Sequence, residues 1–394
     1  MKSISSLFLI PVLFFISCSS GEEKFTSTLI DQNATSETIA LYNNLKNTSK
    51  DYVLYGHQDD LAYGHSWWAE EGRSDVKEST GSYPSVYGWD IGDLEKDSAE
   101  ANLDGVNFEQ MKGWIKDGYS RGGVITISWH MNHPETGKGS WEDLSEPTNI
   151  LPGQTNHELF REWLDSFAAF AQELKGDNGE AIPIIFRPFH EHNGDWFWWG
   201  KGNITEEEYI ALWQFTVEYL RDEKGVHNLI WAFSPDRSRM DINNFKQDYF
   251  YGYPGDDYVD IIGLDNYWDL GHPSNQTPKE EQKEAFIKSL TELVQVSDSL
   301  NKIAALTESG YEGIPNEKWW TEVLGANINA NSYTKRIAWV LTWRNANQER
   351  SGKGDHFYAS PPNHKSAPDM KKFRDMELFM FEDELPDMYT LPKQ

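Results

Sequence analysis

The chain has 394 residues, with 63 acidic side chains against 35 Lys plus Arg, 17 Trp and a single Cys. That length exceeds a small stapled module, and 38% hydrophobic with 25% charged residues describes a globular protein rather than a disordered or collagen-like one. A formal charge of −28 disfavours nucleic acid and anionic membrane surfaces as partners, and one Cys leaves no disulfide framework or Cys-ligated zinc site. Seventeen tryptophans exceed what a core of this size requires, so some rings are expected to line a groove and stack on flat ligands such as sugars.

Residues 1–17 read as a removable leader. Met1-Lys2 precedes an apolar run over 7–16, the length of a secretory segment and too short for a permanent span. Ser17 and Cys18 follow directly, and a small residue before Cys at that point resembles a bacterial lipobox, in which the Cys is acylated and becomes the new N-terminus. The alternative is a plain signal peptide that contains a Cys. The lipobox reading predicts an outer-membrane lipoprotein of the bacterial cell envelope, on the cell surface or its periplasmic face. It would be held to the membrane only by the lipid at Cys18, with residues 18–35 as a solvated tether.

Beyond the leader, eight short β-branched or aromatic runs recur, at 52–56, 85–89, 124–129, 182–187, 228–233, 259–264, 303–307 and 337–342. Most are continuously apolar, which suits parallel strands buried on both faces. Helical patterns lie between them. Leu159, Trp163, Phe167 and Phe170, with Ala171 and Leu174, make one stripe. Thr205 and Glu208 form a capping box before a helix to about residue 221. Thr277, Pro278 and Glu280 read as N-cap, N1 and N3 of a helix to about residue 296. Eight strand–helix units over about 350 residues predict an α/β fold, a (β/α)8 TIM barrel forming one catalytic domain over 36–394. A doubly wound sheet is the alternative, weakened because no Gly-x-Gly-x-x-Gly follows a strand. The Gly118-Tyr119-Ser120-Arg121-Gly122 match to a serine-hydrolase elbow is rejected, since a helix precedes it and a strand follows, the reverse of the required order.

Chemistry in such a barrel sits at the C-terminal ends of the strands. Every predicted strand ends in carboxylate, His, Trp or Arg: Gly56-His57-Gln58-Asp59-Asp60, Trp89-Asp90, Trp129-His130, His190-Glu191, Ser234-Pro235-Asp236, Asp265-Asn266-Tyr267-Trp268, Glu308 and Trp343-Arg344. Glu191 follows the fourth strand and Glu308 the seventh, on opposite sides of an eight-strand ring. Two carboxylates facing each other across the mouth are the machinery of a glycosidase, and a separation of about 5–5.5 Å specifies a retaining route. The competing reading pairs Glu191 with Arg187 at the rim and makes Glu308 a solvated helix cap. His57, His130 and His190 could instead converge as zinc ligands, but His190-Glu191-His192 lacks the i, i+4 spacing of a helical zinc motif, and neither metal nor cofactor is expected.

The run Arg187-Pro188-Phe189-His190-Glu191-His192-Asn193-Gly194-Asp195-Trp196-Phe197-Trp198-Trp199-Gly200 closely resembles the acid/base motif of glycoside hydrolase family 26, and Leu306-Thr307-Glu308-Ser309-Gly310 its nucleophile strand. Gly56-His57-Gln58-Asp59, Ser128-Trp129-His130, Asp265-Asn266-Tyr267-Trp268 and Thr342-Trp343-Arg344-Asn345 add to the likeness, which spans about residues 50 to 350. The resemblance implies a β-1,4-mannanase-like barrel with a retaining mechanism, acting on mannan or manno-oligosaccharides, as a monomer. It implies Glu191 as acid/base and Glu308 as nucleophile. His190 would serve the nucleophile side and substrate hydroxyls, and Tyr267 would contact the nucleophile. His130, Trp196, Asp265, Trp343 and Arg344 would line the subsites. Trp198 and Trp199 are further candidate sugar platforms, of which at least one is expected to be structural. Another β-glycan substrate (mixed-linkage glucan or xylan) and a non-catalytic glycan-binding lipoprotein are the alternatives.

Overall fold

The structure, a computed structural model, describes residues 28–142 and 147–391. The leader, Cys18 and most of the expected tether lie outside the described residues. Eight parallel strands form a closed ring: β1 (Val53–Gln58), β2 (Val86–Asp90), β3 (Val124–Ser128), β4 (Ile184–Arg187), β5 (Leu229–Phe233), β6 (Ile261–Asn266), β7 (Ile303–Ser309) and β8 (Trp339–Thr342), each paired with the next and β8 back with β1. This is the (β/α)8 barrel expected from the strand–helix alternation.

Burial on both faces accounts for the continuous apolar runs. Leu54, Val86, Ile185, Ile230, Ala232, Ala305 and Leu341 pack together inside the ring. The alternate residues Tyr55, Tyr87, Ile127, Phe186, Trp231, Leu264 and Leu306 pack outward beneath the helices. The helix Ser36–Thr48 closes the N-terminal end, with Leu41, Tyr42 and Leu45 seated on the interior cluster. That leaves the opposite, C-terminal end open.

The apolar-stripe helix spans His157–Glu173, with Phe160, Trp163, Leu164, Phe167 and Phe170 buried. The capping box at Thr205 and Glu208 forms as expected. The third helix differs. It runs Lys279–Leu300 with Pro278 at the N-cap, whose ring carries no acceptor, so there is no side-chain cap; Thr277 lies one residue before it and turns its amide and hydroxyl hydrogens onto Asn275 Oδ1 (3.1 and 2.7 Å). β1, β6 and β7 each extend two residues beyond the apolar run, because their polar ends are buried and stay in the ladder. The tether is also shorter than expected. Leu29 is buried, Ile30 N–H donates to Asp260 Oδ1 (2.8 Å), and Asp31 pairs with His227 (2.8 Å), so the chain is already packed on the barrel from there. The Gly118–Gly122 stretch is the end of the helix Phe108–Ser120. Gly123 N–H closes it onto Gly118 O (2.9 Å), and β3 follows at once.

Candidate active site

The backbone places two carboxylates at the barrel mouth by two different devices. On β4, alternation carries Ile185 inward, Phe186 outward and Arg187 inward. Pro188 then ends the ladder by removing an amide hydrogen. Phe189 and Glu191 both adopt left-handed backbone (φ 49° and 54°), each at a cost of about 1 kcal/mol or more for a residue with a Cβ. The turn is over-determined by what surrounds it. Tyr209 OH donates to Phe189 O (3.0 Å), Trp199 Nε1 to His190 O (2.9 Å), Gly194 N–H to Glu191 O (2.9 Å), and Glu191 N–H to Ser234 O beyond β5 (2.8 Å). Asn193 exchanges two 2.7 Å bonds with the backbone of Asp236, joining the β4 and β5 loops like a rung of sheet.

On β7 the device is a bulge. Leu306 and Glu308 lie opposite the consecutive residues Leu264 and Asp265 of β6, and the step from Leu306 to Ser309 matches a step of only two on β8. One extra residue is therefore inserted against both neighbours. Strict alternation after the inward Ala305 would send Thr307 inward and Glu308 out under the helices. With the bulge, Thr307 Oγ1 reaches Asp265 Oδ1 (2.6 Å) while Glu308 also turns into the mouth.

The result is a compact charge cluster. One oxygen each from Glu191, Asp265 and Glu308 lie within 4.8 Å of one another. Arg187, almost fully buried, donates to Asp265 Oδ2 and Ser234 Oγ (both 2.8 Å) and to Glu308 Oε1. Tyr267 OH donates to the other Glu308 oxygen (3.0 Å). Both oxygens of Glu308 thus accept hydrogens, as a carboxylate does. Glu191 receives one, from Trp196 Nε1 (2.8 Å). Burial, and then the negative charges of Asp236 and Glu308, hold the Glu191 carboxyl well above its ordinary range, so it keeps its proton. Two acids a few ångströms apart thus sit in different surroundings, Glu308 under two donors, one of them cationic, and Glu191 under a single neutral one. The guanidinium that bridges Asp265 and Glu308 supplies the cationic charge a metal would bring to these three carboxylates.

The histidines are set by the same logic. His190 is buried; burial, with Arg187 and His130 nearby, pushes it well below its ordinary range and keeps it neutral, with Nε2 3.9 Å from Glu308 Oε1. His130 Nδ1 lies 2.7 Å from Asp90 Oδ2; burial opposes its charged form, but the Asp90 carboxylate outweighs this and raises the imidazole above its usual range. His57 does not join them. It is buried with Nδ1 2.9 Å from Asp60, which removes the three-histidine zinc arrangement.

A cavity of about 630 Å³ opens above the pair. His130, His190, Trp196, Tyr267 and Trp343 line it with Glu191 and Glu308, as expected. Asp265 does not: it is fully buried behind Arg187 and cannot touch a ligand. Arg344 lies off this wall, paired with Asp104 (2.9 Å) and bonded to Tyr63 OH (3.2 Å). The cationic donor on Glu308 is Arg187, beside Tyr267 on the other oxygen, and Arg187 makes no ion pair with Glu191. Trp198 and Trp199 are both structural, fully buried with their indole hydrogens on Met131 O and His190 O. Sequence reasoning missed Trp141, a 55% exposed ring stacked on His130 at 5.3 Å, and Arg239 of the β5 loop, while Asp236, read as a strand-end carboxylate, also lines the cavity. For Arg187 the signal was available, since it shares the inward face with Ile185; for Trp141, in a polar loop, there was none.

The sequence profile described as glycosyl hydrolase family 26 matches residues 30–335, more than half of the chain. The chain belongs to that family. A mannan endo-1,4-β-mannosidase of Bifidobacterium adolescentis is 36% identical over 368 residues, covering 88% of this chain but 34% of its own, so this chain spans about a third of that relative. A mannan endo-1,4-β-mannosidase of Bacillus subtilis is 30% identical over 290 residues, covering 70% of this chain and 75% of its own. Among solved structures, the family 26 β-mannanase BoMan26A of Bacteroides ovatus superposes with a TM-score of 0.83 at 38% identity, covering 91% of this chain and 99% of its own. Its agreement over nearly both full lengths matches the barrel described above.

Proposed function

We propose that this family 26 protein hydrolyses β-1,4-mannosidic bonds in mannan with retention of anomeric configuration, Glu308 acting as nucleophile and Glu191 as acid/base. The observation that carries this reading is the approach of one oxygen from each carboxyl to within 4.8 Å, which suits the retaining separation of about 5–5.5 Å and falls well short of the roughly 6.5–9.5 Å that leaves room for a water in direct inversion. In the first step a Glu308 oxygen bonds to the anomeric carbon as the glycosidic C–O bond breaks, and the leaving oxygen takes the Glu191 proton. Esterification removes the Glu308 charge, which lowers the hold of Glu191 on a proton. Glu191 then takes a proton from water, whose oxygen bonds to the anomeric carbon and returns Glu308 as a carboxylate. His190 and Tyr267 serve the nucleophile side, His130 and Trp343 the glycone, and Trp196 the leaving sugar.

Incubation with mannan should yield manno-oligosaccharides, and proton NMR should show the β-anomer first; an α-anomer appearing first would overturn the retaining assignment. Products from xylan or mixed-linkage glucan with none from mannan would reassign the substrate, and full activity in Glu308→Ala would remove the nucleophile. The leader and Cys18 support a lipid-anchored enzyme on the bacterial envelope, and Cys18→Ala should then shift the protein from the membrane to the soluble fraction.

A further inference from the structure

The cavity continues past Glu191 onto the β5 loop, where a cation stands over the ring that touches the acid. Trp196 gives its indole hydrogen to Glu191, and the guanidinium of Arg239 lies over the Trp196 ring at 5.1 Å. Asp195 fixes Arg239 by a single bond, Nη2 to Oδ1 at 2.5 Å. The remaining guanidinium hydrogens have no protein partner among the described residues, and both Arg239 and Trp196 border the cavity. A half-exposed fork that is tethered at one nitrogen and open at the others is built to donate to a polyol rather than to pack. Its place is decided by the acid: the group that Glu191 protonates departs on the Trp196 side.

Resting on the mannan reading above, we infer that Arg239 is a specificity residue for the leaving group, donating to hydroxyls of the hexopyranose that stacks by Trp196, with Asp195 as its positioning residue. An aryl leaving group offers no hydroxyl to this fork. The test compares wild type and Arg239→Ala on mannotetraose and on an aryl β-mannobioside. A charged hydrogen bond left unmade corresponds to about a tenfold to hundredfold loss, so kcat/KM on mannotetraose should fall at least tenfold more than on the aryl substrate. Transfer from the aryl donor to added mannobiose should fall alongside. Asp195→Asn, which keeps an acceptor but weakens the tether, should give a smaller split. Equal losses on both substrates, or undiminished turnover of mannotetraose, would overturn the inference while leaving the mannan reading intact; wild type inactive on every mannoside would overturn both.

Discussion

Arg187→Met removes a charge while keeping most of the side-chain volume, and it tests the electrostatic design of the site. In the structure this guanidinium compensates Asp265 at 2.8 Å and Glu308 at once, with almost no exposure to water. Without it, two carboxylates with oxygens within 4.8 Å face each other, a repulsion of about 3 kcal/mol at an effective dielectric constant near 20. The pair relieves that by sharing a proton, which at neutral pH leaves Glu308 a poor nucleophile. Since 1.36 kcal/mol is a factor of ten, kcat on an aryl β-mannobioside should fall about a hundredfold at pH 7. The acidic limb of the kcat/KM profile should move to higher pH. Breaking a buried ion pair costs about 3–5 kcal/mol, so Tm should also fall, by roughly 4–7 °C at about 1.3 °C per kcal/mol for a domain of this length. Arg187→Lys, keeping the charge but losing the bidentate fork, should retain the wild-type pH limb with partial activity. A Met variant with reduced activity but an unmoved acidic limb would refute the reasoning, since loss of geometry alone does not displace a titration.

Glu191→Gln should abolish hydrolysis of mannan yet stabilise the fold at neutral pH. Burial, then Asp236 and Glu308, raise the folded acid above its unfolded value of about 4.3, so the folded state binds the proton more tightly and stability declines as pH rises through that window. Differential scanning calorimetry should show Gln and wild type converging near pH 4 and separating above it, with Gln the more stable. Glu191→Ala should lose about a thousandfold on mannan but far less on a substrate with an activated leaving group, and added azide should yield the β-mannosyl azide by mass spectrometry and NMR. Trp343→Ala should raise KM with little change in Tm, whereas the fully buried Trp198→Ala should cost about 3–5 kcal/mol of stability, so chemical denaturation and kinetics should separate the two rings.

Much of this arrangement was legible in the sequence because the residues that form it are contiguous. The run from Arg187 to Gly200 contains the acid and nearly every group that holds its turn: Asn193 clamps the β5 loop, Gly194 closes the backbone, Trp196 donates to the carboxyl, and Trp199 caps His190. Gly194 is needed there because a Cβ would meet the Trp196 ring at 2.3 Å. The abundance of tryptophan was a weaker guide. Nine of the seventeen are among the largest fully buried side chains, so most of that aromatic content serves the packing between strands and helices.

What stayed hidden has a common cause: a period-two reading of strands assigns faces but cannot count an inserted residue. On β4 and β6 parity holds, and it would have placed Arg187 and Asp265 inward, where a charge must be paired, rather than on the cavity wall. On β7 parity fails at Thr307, and the failure is functional. Without the extra residue, either Thr307 would lose Asp265 or Glu308 would be turned beneath the helices, and Arg187 would bridge only one carboxylate. Removing the bulge by deleting Ala305 would keep Glu308 opposite Asp265 and facing the mouth, but would send Leu306 into the ring and turn Thr307 beneath the helices, away from Asp265. Such a deletion should therefore lower Tm while leaving activity in the fraction that folds, and a folded but wholly inactive variant would refute this account of the bulge.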